Sequence, residues 1–245
     1  MAPGGRVGRK RRQCAHGVVW TADAEGRRQR EHDVFTAPET QQALHELLVR
    51  EGRAITEHVQ RFAATLTPQE LAWLPPDKGW SIAQVFEHMC IVHDSYLERI
   101  EEFLEGESLP HREGGKDTPW SPRFAGAFLV RALTSPRKVP APRKYRVGPR
   151  IRAHVIAAFL ERQKRLDDAL ARAEPLEWRA CRLGSPMASV IRLNLGDAFL
   201  VAAVHARRHL GQVERLRVRD GDSSDELRRG VGLISAGARR SLRAR

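Results

Sequence analysis

The run DAFLVAAVHARRHLGQVERL, residues 197–216, restricts this chain to few architectures. Within it Ala198, Ala202, His205, His209, Gln212 and Leu216 recur at steps of four, three, four, three and four. Residues so spaced line one face of a helix and make the seam of a packed bundle. Arg207, Arg208, Glu214, Arg215 and Arg217 lie mostly off that seam. Two imidazoles therefore stand about one turn apart on the face that should be buried. Shared coordination of a metal ion is the most economical reason for placing them there, against the alternative of satisfied core histidines.

A third histidine strengthens the metal reading. Ser81 and Gln84 form a capping-box signature, and Trp80 and Val85 are placed as a hydrophobic staple, so a helix is expected to begin at Ile82. Its core stripe is Ile82, Val85, Met89, Val92, Tyr96, Ile100 and Phe103, and His88 stands one turn from both Val85 and Val92. His88 can thus reach the interior, and His93, a turn beyond Met89, is an intermediate candidate. His45, His58 and His154 read as surface or hydrogen-bonded residues. Gln212, close to one turn after His209, suits either a partner for that ring's other nitrogen or a residue fixing helix register. Glu87 and Asp94 occupy positions suited to a solvated helix face and are read as surface carboxylates rather than as a base. Cys90, two residues from His88, points to another face, which argues against a closed structural zinc site.

The remaining helices follow from the same signals. Thr36 and Glu39 make a capping box with Pro38 in the first turn, predicting a helix to about Leu66 with Leu44, Leu47, Leu48, Ile55, Val59 and Phe62 inward. Thr67, Pro68 and Glu70 start a short turn of helix, and Phe124–Leu133 reads as another short one. A further long helix is expected over roughly Ile151–Arg172, with Val155, Phe159, Arg162, Leu166 and Leu170 on one stripe and Arg162 unexplained there. Residues 173–193 read as a linker, and Asn194 with Asp197 caps the last helix. Four long helices with long second and third connections make an all-α four-helix bundle. Strand-like alternation, internal repeats and a phosphate-binding glycine motif are missing from the sequence.

Trp80 and Ser81 opening a helix, His88 seven residues after that serine, and a late helix reading HARRHLGQ together resemble the DinB-like superfamily, which includes the YfiT-like metal-dependent hydrolases and bacillithiol-type S-transferases. The likeness extends to KVPAPRKYRV, FLERQKRLDDAL and SVIRLNLGDAF, and covers about residues 38–219. It implies a DinB-like four-helix bundle with a three-histidine metal site, for which the matching positions are His88, His205 and His209. It also implies a metal-dependent enzyme, either a thiol-dependent S-transferase or a hydrolase, acting on a small electrophilic substrate. A divalent ion (zinc, nickel or iron) and a low-molecular-weight thiol are the cofactors this implies. Two other classes stay open: a non-catalytic, stress-related metal-binding protein, and a nucleic-acid-associated protein working through basic tails.

Charge bears on the last of these. The chain carries 42 Lys and Arg against 30 Asp and Glu, for a net charge of +12. Much of the central excess lies in Thr118–Leu160, where no Asp or Glu occurs. Such arms can neutralise nucleic-acid phosphates, or simply decorate loops, or overhang the metal site and attract an anionic substrate. The expected organisation is a basic, unstructured extension over 1–37, the bundle over 38–219 and a basic, unstructured tail over 220–245. No apolar run reaches the ~18 residues of a membrane span, and no signal peptide is read in the basic N-terminus. Cys14, Cys90 and Cys181 are too few and scattered for a disulfide framework, so a reducing cytoplasm is the expected compartment. A homodimer through an apolar bundle face is compatible with the pattern, which does not decide it.

Overall fold

The computed structural model describes residues 38–241 apart from 78, 113–117, 136, 138, 139 and 189, with side chains as far as residue 219. The extension expected over 1–37 lies outside the described residues. Among the described residues there are six α-helices: α1 (Gln41–Ala64), α2 (Pro68–Ala72), α3 (Ile82–Leu104), α4 (Phe124–Thr134), α5 (Val155–Ala173) and α6 (Leu195–Ser241). A 3-10 turn at Arg143–Tyr145 and two short strands, β1 (Arg182–Gly184) and β2 (Arg192–Asn194), complete the elements. The backbone of α6 runs on past residue 219, across the boundary that the sequence suggests for the C-terminal tail.

The four long helices form the bundle. Helix α3 packs against α5 and α6, and α1 packs against the same two, so the order around the ring is α1, α5, α3, α6. The apolar stripes of α1, α3 and α5 face inward as their spacing predicts: Leu44, Ile55, Val59, Val85, Met89 and Phe159 are all fully buried. The expected α3 N-terminus is realised in both halves of its capping box. Ser81 Oγ accepts from Gln84 N at 3.2 Å and Gln84 Oε1 accepts from Ser81 N at 2.9 Å.

Two helix starts differ from expectation. Helix α1 is capped by Thr40, whose side chain accepts from Ala43 N at 3.2 Å. The N–H of Gln41 is taken by the Thr118 carbonyl at 2.9 Å, so a tertiary contact sets where the first turn opens. Helix α5 begins at Val155 and not at Ile151, with His154 at φ 51°, the left-handed region. Glu87 accepts from the Arg152 backbone N–H at 3.1 Å, which holds the residues before His154 as a loop.

The segment read as a linker contains the two-stranded sheet, antiparallel with Leu183 opposite Leu193. It delivers the chain to α6, where Asp197 Oδ2 accepts from Asn194 N at 3.0 Å and Asn194 Oδ1 accepts from Asp197 N at 2.8 Å. The Asp197 carboxylate also accepts from Arg123 N, tying the start of α4 to the start of α6. A Cβ at Gly126 would overlap that carboxylate, so only glycine lets α4 approach so closely. No described helix is long and apolar enough to cross a membrane.

Candidate metal centre

Midway along the bundle, α3 contributes His88 and α6 contributes His205 and His209. One ring nitrogen from each lies within 4.8 Å of the others, and the Nε2 atoms of His88 and His205 are 3.2 Å apart. Two nitrogens bound to one tetrahedral zinc at about 2.05 Å would stand roughly 3.3 Å apart, so this pair already has the spacing of shared ligands. His88 and His205 are buried while His209 is half-buried, which leaves the cluster closed on one side and open on the other.

The outer nitrogens decide which lone pairs face inward. His88 Nδ1 is 2.8 Å from the main-chain oxygen of Tyr145. A carbonyl can only accept, so the proton sits on Nδ1 and Nε2 presents a bare lone pair. His209 Nδ1 stands 2.9 Å from Gln212 Oε1, which fixes the same tautomer. A proton on His205 Nε2 would satisfy one of these lone pairs and no more, and the buried Nδ1 of His205 has no hydrogen-bond partner. A cation shared by all three rings fits this donor set better than any arrangement of protons. Three histidines are thus positioned to hold a divalent metal ion.

Electrostatics keeps the rings neutral, the state in which imidazole ligates. Burial pushes His209 down to about 3, with the His88 ring adding to the effect and Gln212 opposing it. His205 is driven well below its ordinary value, first by burial and then by His209 and His88. His88 is lowered by burial too, against the pull of the Tyr145 carbonyl.

The surrounding side chains hold the centre in place. Trp80 lies tilted on the His88 ring with centroids 4.9 Å apart, forming one wall. Arg208 donates to the carbonyls of Leu133 (2.8 Å), Ser135 (2.6 Å) and Arg137 (2.6 Å), closing the C-terminal end of α4 against α6. Cys90 faces the Val155 carbonyl at 3.8 Å, away from the histidines, and burial pushes its thiol up to about 12.

The reading of Glu87 as a solvated carboxylate needs correction, whereas Asp94 keeps 38% of its side chain exposed. Glu87 is buried and accepts from Arg152 Nε at 2.9 Å, while Asp94 pairs with Arg162 Nε at 2.7 Å and Arg152 at 3.5 Å. Arginines on the approach to α5 and within it pair with both acids, and Arg162 thereby finds its explanation. His93 is fully buried beside Phe159, outside the cluster, with neither ring nitrogen in a hydrogen bond of good geometry. His45 packs edge-on to Trp178, His58 pairs with Glu214 at 3.3 Å, and His154 is the residue before α5. The contributions of Tyr145 and Arg208 escaped the sequence. A main-chain acceptor leaves no residue-type signal, and a surface-looking arginine gives no sign that it binds three carbonyls.

A four-helix bundle that gathers three imidazoles from two packed helices defines a helical class with a candidate metal centre. The chain belongs to the DinB superfamily, whose family model matches residues 50–213, a stretch that includes all three histidines. No curated protein and no solved structure matches the chain.

Proposed function

We propose that this protein is a metal-dependent enzyme of the DinB superfamily, a thiol S-transferase or a hydrolase acting on a small electrophilic substrate. The observation that carries the reading is the convergence of His88, His205 and His209, with two outer nitrogens already engaged by Tyr145 and Gln212. Zinc, nickel or iron on three neutral imidazoles would keep a coordination position open and acidify a water or a thiol brought to it.

The chain's own residues prepare that chemistry. The Tyr145 carbonyl holds the His88 ring in the Nδ1–H tautomer, and Gln212 does the same for His209. Trp80 excludes water from one side of His88. The half-buried face at His209 and Gln212 is the side from which a substrate enters. Thiol transfer is favoured over hydrolysis because, among the described residues, no carboxylate joins the three histidines to act as a base. Glu87 and Asp94, the nearest acids on α3, are held by Arg152 and Arg162.

The test is metal content by inductively coupled plasma mass spectrometry on tag-free protein, beside the His205→Ala/His209→Ala variant, followed by a thiol-transfer screen. About one metal per chain in the wild type, none in a folded variant, and turnover that needs both metal and thiol are expected. A folded wild type that stays metal-free after reconstitution with zinc, nickel and iron would overturn the reading.

A further inference from the structure

The basic segment between α4 and α5 is bound to the metal centre at two points. One is the Tyr145 carbonyl, which accepts from the ligand-candidate ring of His88 at 2.8 Å. The other is Arg208, next to His209 in the chain, which donates to the carbonyls of Ser135 and Arg137 at 2.6 Å each. The 3-10 turn Arg143–Tyr145 therefore places Arg143, Lys144 and Arg146 within two residues of a group that touches the cluster.

These cations lack acidic partners. No Asp or Glu occurs from Thr118 to Leu160. Among the described residues, Arg137, Arg143, Arg146 and Arg150 are exposed and none makes an ion pair. Arg146 Nε reaches only the Ala141 carbonyl at 3.5 Å, and Lys144 lies over the Tyr145 ring and on the Pro186 carbonyl. Arg152, Arg162, Arg207 and Arg217, by comparison, are paired with Glu87, Asp94, Glu51 and Glu70. Arg208 and Arg215 also stand close enough to His209 to act on its ring.

A divalent ion on three neutral ligands keeps its full charge, and uncompensated guanidinium groups beside it add to the positive field. Guanidinium also matches the planar, two-oxygen geometry of carboxylate and the oxygens of phosphate. We infer that the described segment 140–150 is the substrate-selecting rim of the three-histidine site, and that the molecule it admits carries an anionic group, carboxylate or phosphate, beside its reacting atom. The inference rests on the reading of that cluster as the reacting centre. Arg143 and Arg146 are the residues assigned to charge recognition.

The test uses the full chain and two thiols of similar size and opposite charge, 3-mercaptopropionate and cysteamine. Binding to cobalt(II)-reconstituted protein is read from the thiolate-to-cobalt absorption, without turnover. The wild type is expected to prefer 3-mercaptopropionate by about ten-fold, and the preference should shrink as salt is raised. Arg143→Gln/Arg146→Gln should lose that preference and bind cysteamine no worse. A preference near unity, or one that survives in the variant through chelation alone, overturns the rim. A parallel calorimetric titration of metal-free protein with pyrophosphate and with citrate separates this from failure of the metal centre. Weakening of either anion by about ten-fold in the variant supports the rim and names the anion, even where cobalt does not bind. Equal or undetectable binding of both anions by wild type and variant overturns it.

Discussion

The Nδ1 proton of His88 is donated to the main-chain oxygen of Tyr145 at 2.8 Å, across 57 positions of sequence. Through this bond a ring on α3 takes its tautomer from the loop that precedes α5, and the Arg-rich segment is fastened to the histidine cluster. The three-histidine cluster and the loop that carries Tyr145 are therefore joined directly.

Gln212 plays the corresponding part for His209. Gln212→Ala removes the acceptor 2.9 Å from His209 Nδ1 while leaving the ring itself. Zinc affinity, measured by competition with a chromogenic chelator, is expected to fall about 10- to 100-fold. The thermal midpoint of the metal-free protein should scarcely move, because Gln212 is half-buried and fills no core space.

Glu87 anchors the approach to α5. Its carboxylate receives both the backbone N–H and Nε of Arg152 while almost closed to solvent. Glu87→Ala should cost about 2–3 kcal/mol in urea unfolding, below the full penalty for a broken buried pair because Arg152 is 28% exposed. The double variant Glu87→Ala/Arg152→Ala should recover part of that loss, since no lone charge remains.

Acid should destabilise the metal-free protein between pH 6.5 and about 4. His93 is fully buried, and desolvation holds it down to about 4 against 6.5 when unfolded. In that window the unfolded chain binds the proton and the folded chain does not, so stability is complete above 6.5 and falls as pH drops. His209, held at about 3, adds in the same direction. Asp197, raised by burial to about 6, works the other way: the folded chain holds its proton, so its effect favours folding as pH falls from 6 towards 4. Three further histidines lowered on folding, His58, His88 and His205, leave the balance with the imidazoles. The urea midpoint should drop on going from pH 7 to 4.5, with a shallower drop in His93→Leu.

Gly126→Ala tests the seating of α4. The added methyl would overlap the Asp197 carboxylate that caps α6 and anchors Arg123. Overpacking of this kind costs about 1–3 kcal/mol. Limited proteolysis should then cut within 134–150 faster than in the wild type, as the α4 end withdraws from Arg208. Unchanged cleavage and an unchanged unfolding midpoint would show that α4 does not hold that segment.

The bundle and its histidines were legible because both are periodic. Steps of three and four placed Leu44, Val85, Phe159 and Leu216 inward, and the same steps put His205 beside His209. The Ser81–Gln84 and Asn194–Asp197 caps were readable for a related reason: each is a bond between residues three apart, written into a short stretch of chain. Helix starts governed by distant partners were not readable, as with Gln41 donating to Thr118 and Arg152 donating to Glu87.

By itself, then, the sequence determined the helical class, the inward stripes and the three imidazoles of the site, since local spacing sets which side chains share a face. Only the tertiary structure decided that Glu87 is buried against Arg152 and Asp94 paired with Arg162, that His93 stands outside the cluster, and that the acid-free segment lies against His88. Those outcomes depend on contacts between residues some 55 to 75 positions apart, and on main-chain carbonyls such as those of Tyr145 and Ser135, which carry no mark of residue type.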